Sequence, residues 1–130
     1  MIGLDTNILV RLITRDDERQ AARARRLLSS DSLERAFVNR VTVLELVWVL
    51  ESAYDYASAL IADAIDVLLD LSTVTVEDAS VVRRAVRLYR SGADFADALV
   101  AESNLDHLCH ATHTFDRGAA KKLPSMELLR

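Results

Sequence analysis

Short β-prone runs that pass directly into longer helical stretches set the tightest limit on what this chain can become. Met1–Leu4 is apolar, breaks at Asp5-Thr6-Asn7 and resumes apolar periodicity over Ile8–Ile13. That pattern suits a buried strand feeding straight into a helix. Ala36–Asn39 and Val74–Val76 are short and β-prone, and His110–Thr114 reads as a strand that ends at Phe115-Asp116. Between them, Glu18–Leu28, Ala57–Leu71, Asp78–Arg90 and Asp94–Leu105 carry helical patterns, the last two separated by Ser91-Gly92. Val41–Tyr54 is Val-rich like a strand but too long for one, and Thr42 with Glu45 has capping-box spacing, so a helix is expected there. Strands alternating with helices imply an α/β chain with a parallel sheet and helices on both faces.

The 130 residues suit one domain, residues 1–130, with a core that needs no disulfide. Three Gly and one Pro argue against a turn-rich all-β protein or a disordered chain. Aromatics are 5%, so Leu, Val, Ile and Ala must fill the core. The lone Cys109 excludes an internal disulfide, and with no signal-like start the expectation is a cytoplasmic protein. Acids interrupt the apolar stretches well before the ~20 residues a membrane helix needs. Gly3, Gly92 and Gly118 are too far apart for a phosphate-cradling loop.

The net charge of −4 does not resemble a nucleic-acid binder. The cations are bunched, however, at Arg11, Arg15, Arg19, Arg23, Arg25 and Arg26, at Arg83, Arg84, Arg87 and Arg90, and at Arg117, Lys121 and Lys122. Most fit solvated helix faces. Some would be free to grip phosphates if an acidic site is also present.

The acids sort by their neighbours. Asp16, Asp17, Glu18, Asp31 and Glu34 lie among arginines and polar residues, and Asp63, Asp66 and Asp70 share a polar helix face. Asp97 differs, since its helical neighbours Ala93, Asp94, Val100 and Ala101 offer no cation. Glu45 has Val41, Thr42, Trp48 and Val49; Asp5 has Ile2, Leu4 and Ile8; Asp116 follows Thr114-Phe115. Asp5 and Asp116 each follow an expected strand, at the edge where α/β sheets place their functional crevice. An ionised carboxylate in apolar surroundings costs several kcal/mol unless something positive compensates. Two carboxylates about 5 Å apart repel by roughly 3 kcal/mol at an effective dielectric near 20. A divalent ion would relieve both costs, and Mg2+ or Mn2+ suits oxygen ligands. Phosphodiester hydrolysis is chemistry open to such a site. Each acid has a plainer reading as well: a capping box for Glu45, an N-terminal helix acid for Asp94, and turns for Asp5 and for Asp116-Arg117-Gly118.

The ordered stretches Leu4-Asp5-Thr6-Asn7-Ile8-Leu9, Val43-Leu44-Glu45-Leu46, Gly92–Leu99 and Thr114-Phe115-Asp116-Arg117 resemble the PIN-domain family, and within it the VapC toxins of toxin–antitoxin pairs. The resemblance implies a three-layer α/β/α, Rossmann-like PIN fold around a central parallel sheet, and a Mg2+- or Mn2+-dependent endoribonuclease acting on RNA. It implies metal binding and catalysis by Asp5, Glu45, Asp97 and Asp116, with Asp94 as a supporting acid. Thr6, Asn7 and Thr114 would orient carboxylates or water. It also implies a homodimer inhibited by a VapB-like antitoxin protein.

Other readings fare less well. His107, Cys109, His110 and His113 suggest zinc, but His110 and His113 would face opposite sides of a strand. Asp5-Thr6-Asn7 also fits phosphatases with a strand-end Asp nucleophile, yet Asn7 stands where they want a second acid. The alternative from another class is a catalytically silent domain of the same fold that binds RNA or a protein.

Overall fold

A computed structural model describes residues 1–29, 31 and 34–130. The chain divides into two compact units, Met1–Ala79 and Ser80–Arg130.

In the first unit, β1 (Ile2–Gly3), β2 (Ala36–Val38) and β3 (Val74–Val76) form a parallel sheet in the order β1-β2-β3. The register sets Ile2 opposite Ala36, and Ala36 opposite Val74. Parallel neighbours need long crossovers. Here α1 (Thr6–Thr14) with α2 (Glu18–Leu27), then α3 (Arg40–Ser52) with α4 (Ser58–Asp70), supply them. Leu9, Val10, Val38, Leu46, Leu50 and Ile61 are buried and make the core of this unit. The Val-rich stretch is helical, as expected, because Val43, Leu46, Val47 and Leu50 recur at helical spacing and are all buried.

In the second unit, α5 (Ala79–Arg90) and α6 (Phe95–Asp106) precede β4 (Thr112–Thr114), α7 (Arg117–Lys122) and β5 (Met126–Leu128). Strands β4 and β5 pair in parallel across α7. Tyr89 and Phe95 meet edge to face, with ring centroids 5.6 Å apart. Gly92, at φ 106°, makes the reversal between α5 and α6, where the Ala93 N–H donates to the Leu88 carbonyl. A side chain disfavours that backbone conformation.

The structure corrects several expectations. The Thr42–Glu45 capping box does not form: α3 starts earlier, and Asn39 caps it by accepting from the Thr42 N–H at 2.8 Å. Asp116-Arg117-Gly118 is no isolated turn but the start of α7, and neither α7 nor β5 was expected. The strand expected over His110–Thr114 spans only Thr112–Thr114.

Candidate active site

Asp5 sits between the end of β1 and the start of α1, and its Oδ1 accepts from the Thr6 N–H at 2.7 Å. Thr6 is buried, and its hydroxyl donates to Oε1 of Glu45 on α3. Asp5, Thr6, Asn7, Arg11, Glu45 and Tyr54 line one depression of about 400 Å3, so the first unit brings two of its expected acids together with both polar neighbours, Thr6 and Asn7. These acids are not in apolar surroundings. Asp5 and Glu45 are not buried, and the apolar neighbours invoked for Glu45 on α3, Val41 and Trp48, themselves point outward, at 73% and 64% exposure. The desolvation cost expected for Asp5 and Glu45 is therefore largely absent.

In the second unit the acids crowd the starts of two helices. Asp94 caps α6, its Oδ2 accepting from the Asp97 N–H at 3.0 Å. Asp116 caps α7, its Oδ1 accepting from the Ala119 N–H at 3.0 Å. The Thr114 hydroxyl oxygen accepts from the Asp116 N–H, also at 3.0 Å, and so fixes the turn that carries this carboxylate. Asp97 is half-buried in the first turn of α6. Burial pushes its carboxyl above the ordinary aspartate value, and the charges of Asp94 and Asp116 add to the shift. Asp116 itself is exposed, unlike the expectation drawn from its neighbours in the sequence.

Ion pairing separates these acids from others in the chain. Asp16 pairs with Arg11 at 3.0 Å, Glu18 with Arg25, Asp78 with Arg40 and Glu102 with Arg84. Asp5, Glu45, Asp94, Asp97 and Asp116 form no ion pair among the described residues.

Sequence reasoning missed the cluster around Asp16. Its carboxylate accepts from the Tyr54 hydroxyl at 2.7 Å, the Thr14 hydroxyl at 3.0 Å and Arg11. Tyr54 foremost, then Thr14 and Arg11, hold it below the usual carboxylate range. No local pattern links Asp16 to Tyr54, which lies on the far side of β2 and α3 in the chain.

As the side chains stand, no three His, Cys, Asp or Glu among the described residues are grouped closely enough to hold an ion. The donor chemistry nonetheless fits a hard divalent cation. The acids offer only oxygens, and Asp97 lies among like charges that a cation would offset. Of the zinc-like residues, His107 caps the end of α6 opposite Asp94, its Nδ1 2.9 Å from the Ser103 carbonyl, and Cys109, two residues on, is exposed.

No curated protein matches the chain. A family match described as PIN domain covers residues 2–123, which takes in both units and every acid named above. An α/β chain with parallel strands, acids at strand ends and helix starts, and a match along nearly its whole length lead to one assignment: the chain belongs to the PIN domain family, whose members are generally nucleases.

Proposed function

We propose that this PIN domain is a Mg2+- or Mn2+-dependent endoribonuclease, the toxin of a toxin–antitoxin pair. Its ion-holding carboxylates would be Asp97 and Asp116 in the second unit and Asp5 and Glu45 in the first. The observation that carries the reading is that none of these acids forms an ion pair among the described residues, in a chain that pairs many of its other acids. A half-buried acid set beside other acids without a cation, as Asp97 is, raises the energy of the fold, and a site for catalysis is the common reason to keep it.

The chemistry that a bound divalent ion supplies is activation of water and neutralisation of charge on the phosphoryl group. The chain's own residues do the positioning. Thr6 fixes the Glu45 carboxylate, Asp94 holds the first turn of α6 that carries Asp97, and Thr114 holds the turn that carries Asp116. Asn7, exposed beside Asp5, is placed to orient water or substrate. Among the described residues no helix is long and apolar enough to cross a membrane, and the reading places the protein in the cytoplasm. Homodimerisation and a VapB-like antitoxin follow from the sequence resemblance and belong to the same proposal.

The test is RNA cleavage by the purified, antitoxin-free protein. Cleavage with Mg2+ or Mn2+ that stops with EDTA and is absent from Asp97→Asn is the expected result. Failure with both ions, alongside retained RNA binding, would replace the enzyme with a silent binding domain.

A further inference from the structure

Asn7 and Arg11 stand one turn apart on α1 and so share a face. Both line the depression that holds Asp5 and Glu45, and both also line a second one with Gln20 and Arg23 of α2. The two hollows therefore adjoin at the Asn7–Arg11 face of α1, one lined by the acids and the other by Arg23. We propose that Arg11 and Arg23 form a phosphate track that holds the RNA strand beside the scissile bond, an inference that rests on the ribonuclease reading.

The Arg11 guanidinium is held from two sides. Its Nε donates to Gln20 Oε1 at 2.6 Å, and its Nη1 donates to Asp16 Oδ1 at 3.0 Å and to the Tyr54 hydroxyl at 3.4 Å. Its Nη2 donates to nothing among the described residues. A planar fork fixed in this way loses little freedom when its remaining N–H groups take a phosphate oxygen. Asp16 takes part of the Arg11 charge, but it divides its oxygens among the Tyr54, Thr14 and Arg11 donors. Arg23 is exposed and has no ion pair among the described residues, so its charge is fully offered to a ligand. A track of this kind also resolves the conflict between a net charge of −4 and a polyanionic substrate, because the cations need only be local.

The alternative is that Arg11 merely braces the α1–α2 turn through Asp16 and Gln20. Salt dependence separates the two, because each phosphate of a single strand that is no longer neutralised lowers the slope of log K against log salt by about 0.7. The measurement is fluorescence anisotropy of a labelled single-stranded RNA, with Mg2+, across a KCl series. The protein is the full chain carrying Asp97→Asn so that nothing is cut. Into this background go Arg11→Met, Arg23→Met and, as a control for bulk charge, Arg87→Met on α5. The expected result is a slope reduced by about 0.7 for Arg11→Met and for Arg23→Met and unchanged for Arg87→Met. Arg23→Met removes an exposed side chain that makes no ion pair among the described residues, so it decides the matter even if Arg11→Met unfolds. RNA binding with unchanged slopes, or an equal drop with Arg87→Met, would overturn the track alone. No RNA binding at any salt concentration would overturn the ribonuclease reading with it.

Discussion

Asp16 and Asp97 are both aspartates near a helix terminus, and the structure treats them in opposite ways. Asp16, in the first unit, is exposed and ringed by donors from Tyr54, Thr14 and Arg11, which hold its carboxyl low. Asp97, in the second, is half-buried, receives no hydrogen bond or ion pair on its carboxylate among the described residues, and has Asp94 and Asp116 for neighbours. Donors are therefore given to the acid that is already in water and withheld from the acid that needs them. Selection for stability alone would not produce that distribution, whereas the proposed role of Asp97 as a carboxylate kept available for an ion would account for it.

Exchanging the two acids for amides should separate catalysis from stability. Asp97→Asn abolishes RNA cleavage and leaves the metal-free melting temperature unchanged or higher. Asp16→Asn keeps cleavage and lowers the melting temperature slightly, as the loss of a surface pair should. Cleavage assays with calorimetry on both variants check this, and a large loss of metal-free stability in Asp97→Asn would break the contrast.

Thr6→Val tests whether the first unit's acids depend on positioning. Losing the donor to Glu45 should cost about 10–100-fold in activity or metal affinity, and Thr6→Ser should restore most of it. A Thr6→Val variant with full activity would separate Glu45 from the chemistry.

Mg2+ or Mn2+ should raise the melting temperature of the wild type, by an amount equivalent to about 2.7 kcal/mol at a hundredfold excess over Kd. Asp97→Asn should gain less, and Asp16→Asn as much as the wild type. Equal gains in all three would place the ion elsewhere.

The smallest effect is in the pH dependence of the metal-free protein. A carboxyl raised in the folded state makes the fold lose stability as pH climbs from the ordinary aspartate value, about 3.9, through the higher folded value. Asp97→Asn should therefore be the more stable protein at pH 7, with the gap closing on acidification. Asp16, held low, contributes stability above its unfolded value that is lost as pH falls. The advantage of wild type over Asp16→Asn should thus shrink in acid. Melting curves across the acid range check both signs.

Much of this was legible in the sequence because it is local. The strand-then-acid-then-helix pattern at Asp5 and the cation-free neighbourhood of Asp97 both depend on residues a few positions away, and the structure retains both features. What was not legible depends on distance or on which way a helix faces. Thr6 reaches Glu45, and Tyr54 reaches Asp16, across intervening strands and helices. The apolar neighbours of Glu45 suggested burial because periodicity gives a face but not its direction, and Val41 and Trp48 turn to solvent. Asn39 was overlooked as a cap because the Thr42–Glu45 spacing offers the same signal one turn later. The six residues of α7 are too few to show a period, and Pro124 just beyond it obscured β5.

The position of Trp48 gives the protein a built-in optical reporter. It is the chain's only tryptophan, it is 64% exposed, and it lies on α3 a turn beyond Glu45. Its emission should be that of a wet indole even in the native fold, so denaturation will shift it little. Any molecule that covers this face of α3 will move it to the blue, so binding there can be followed without a label.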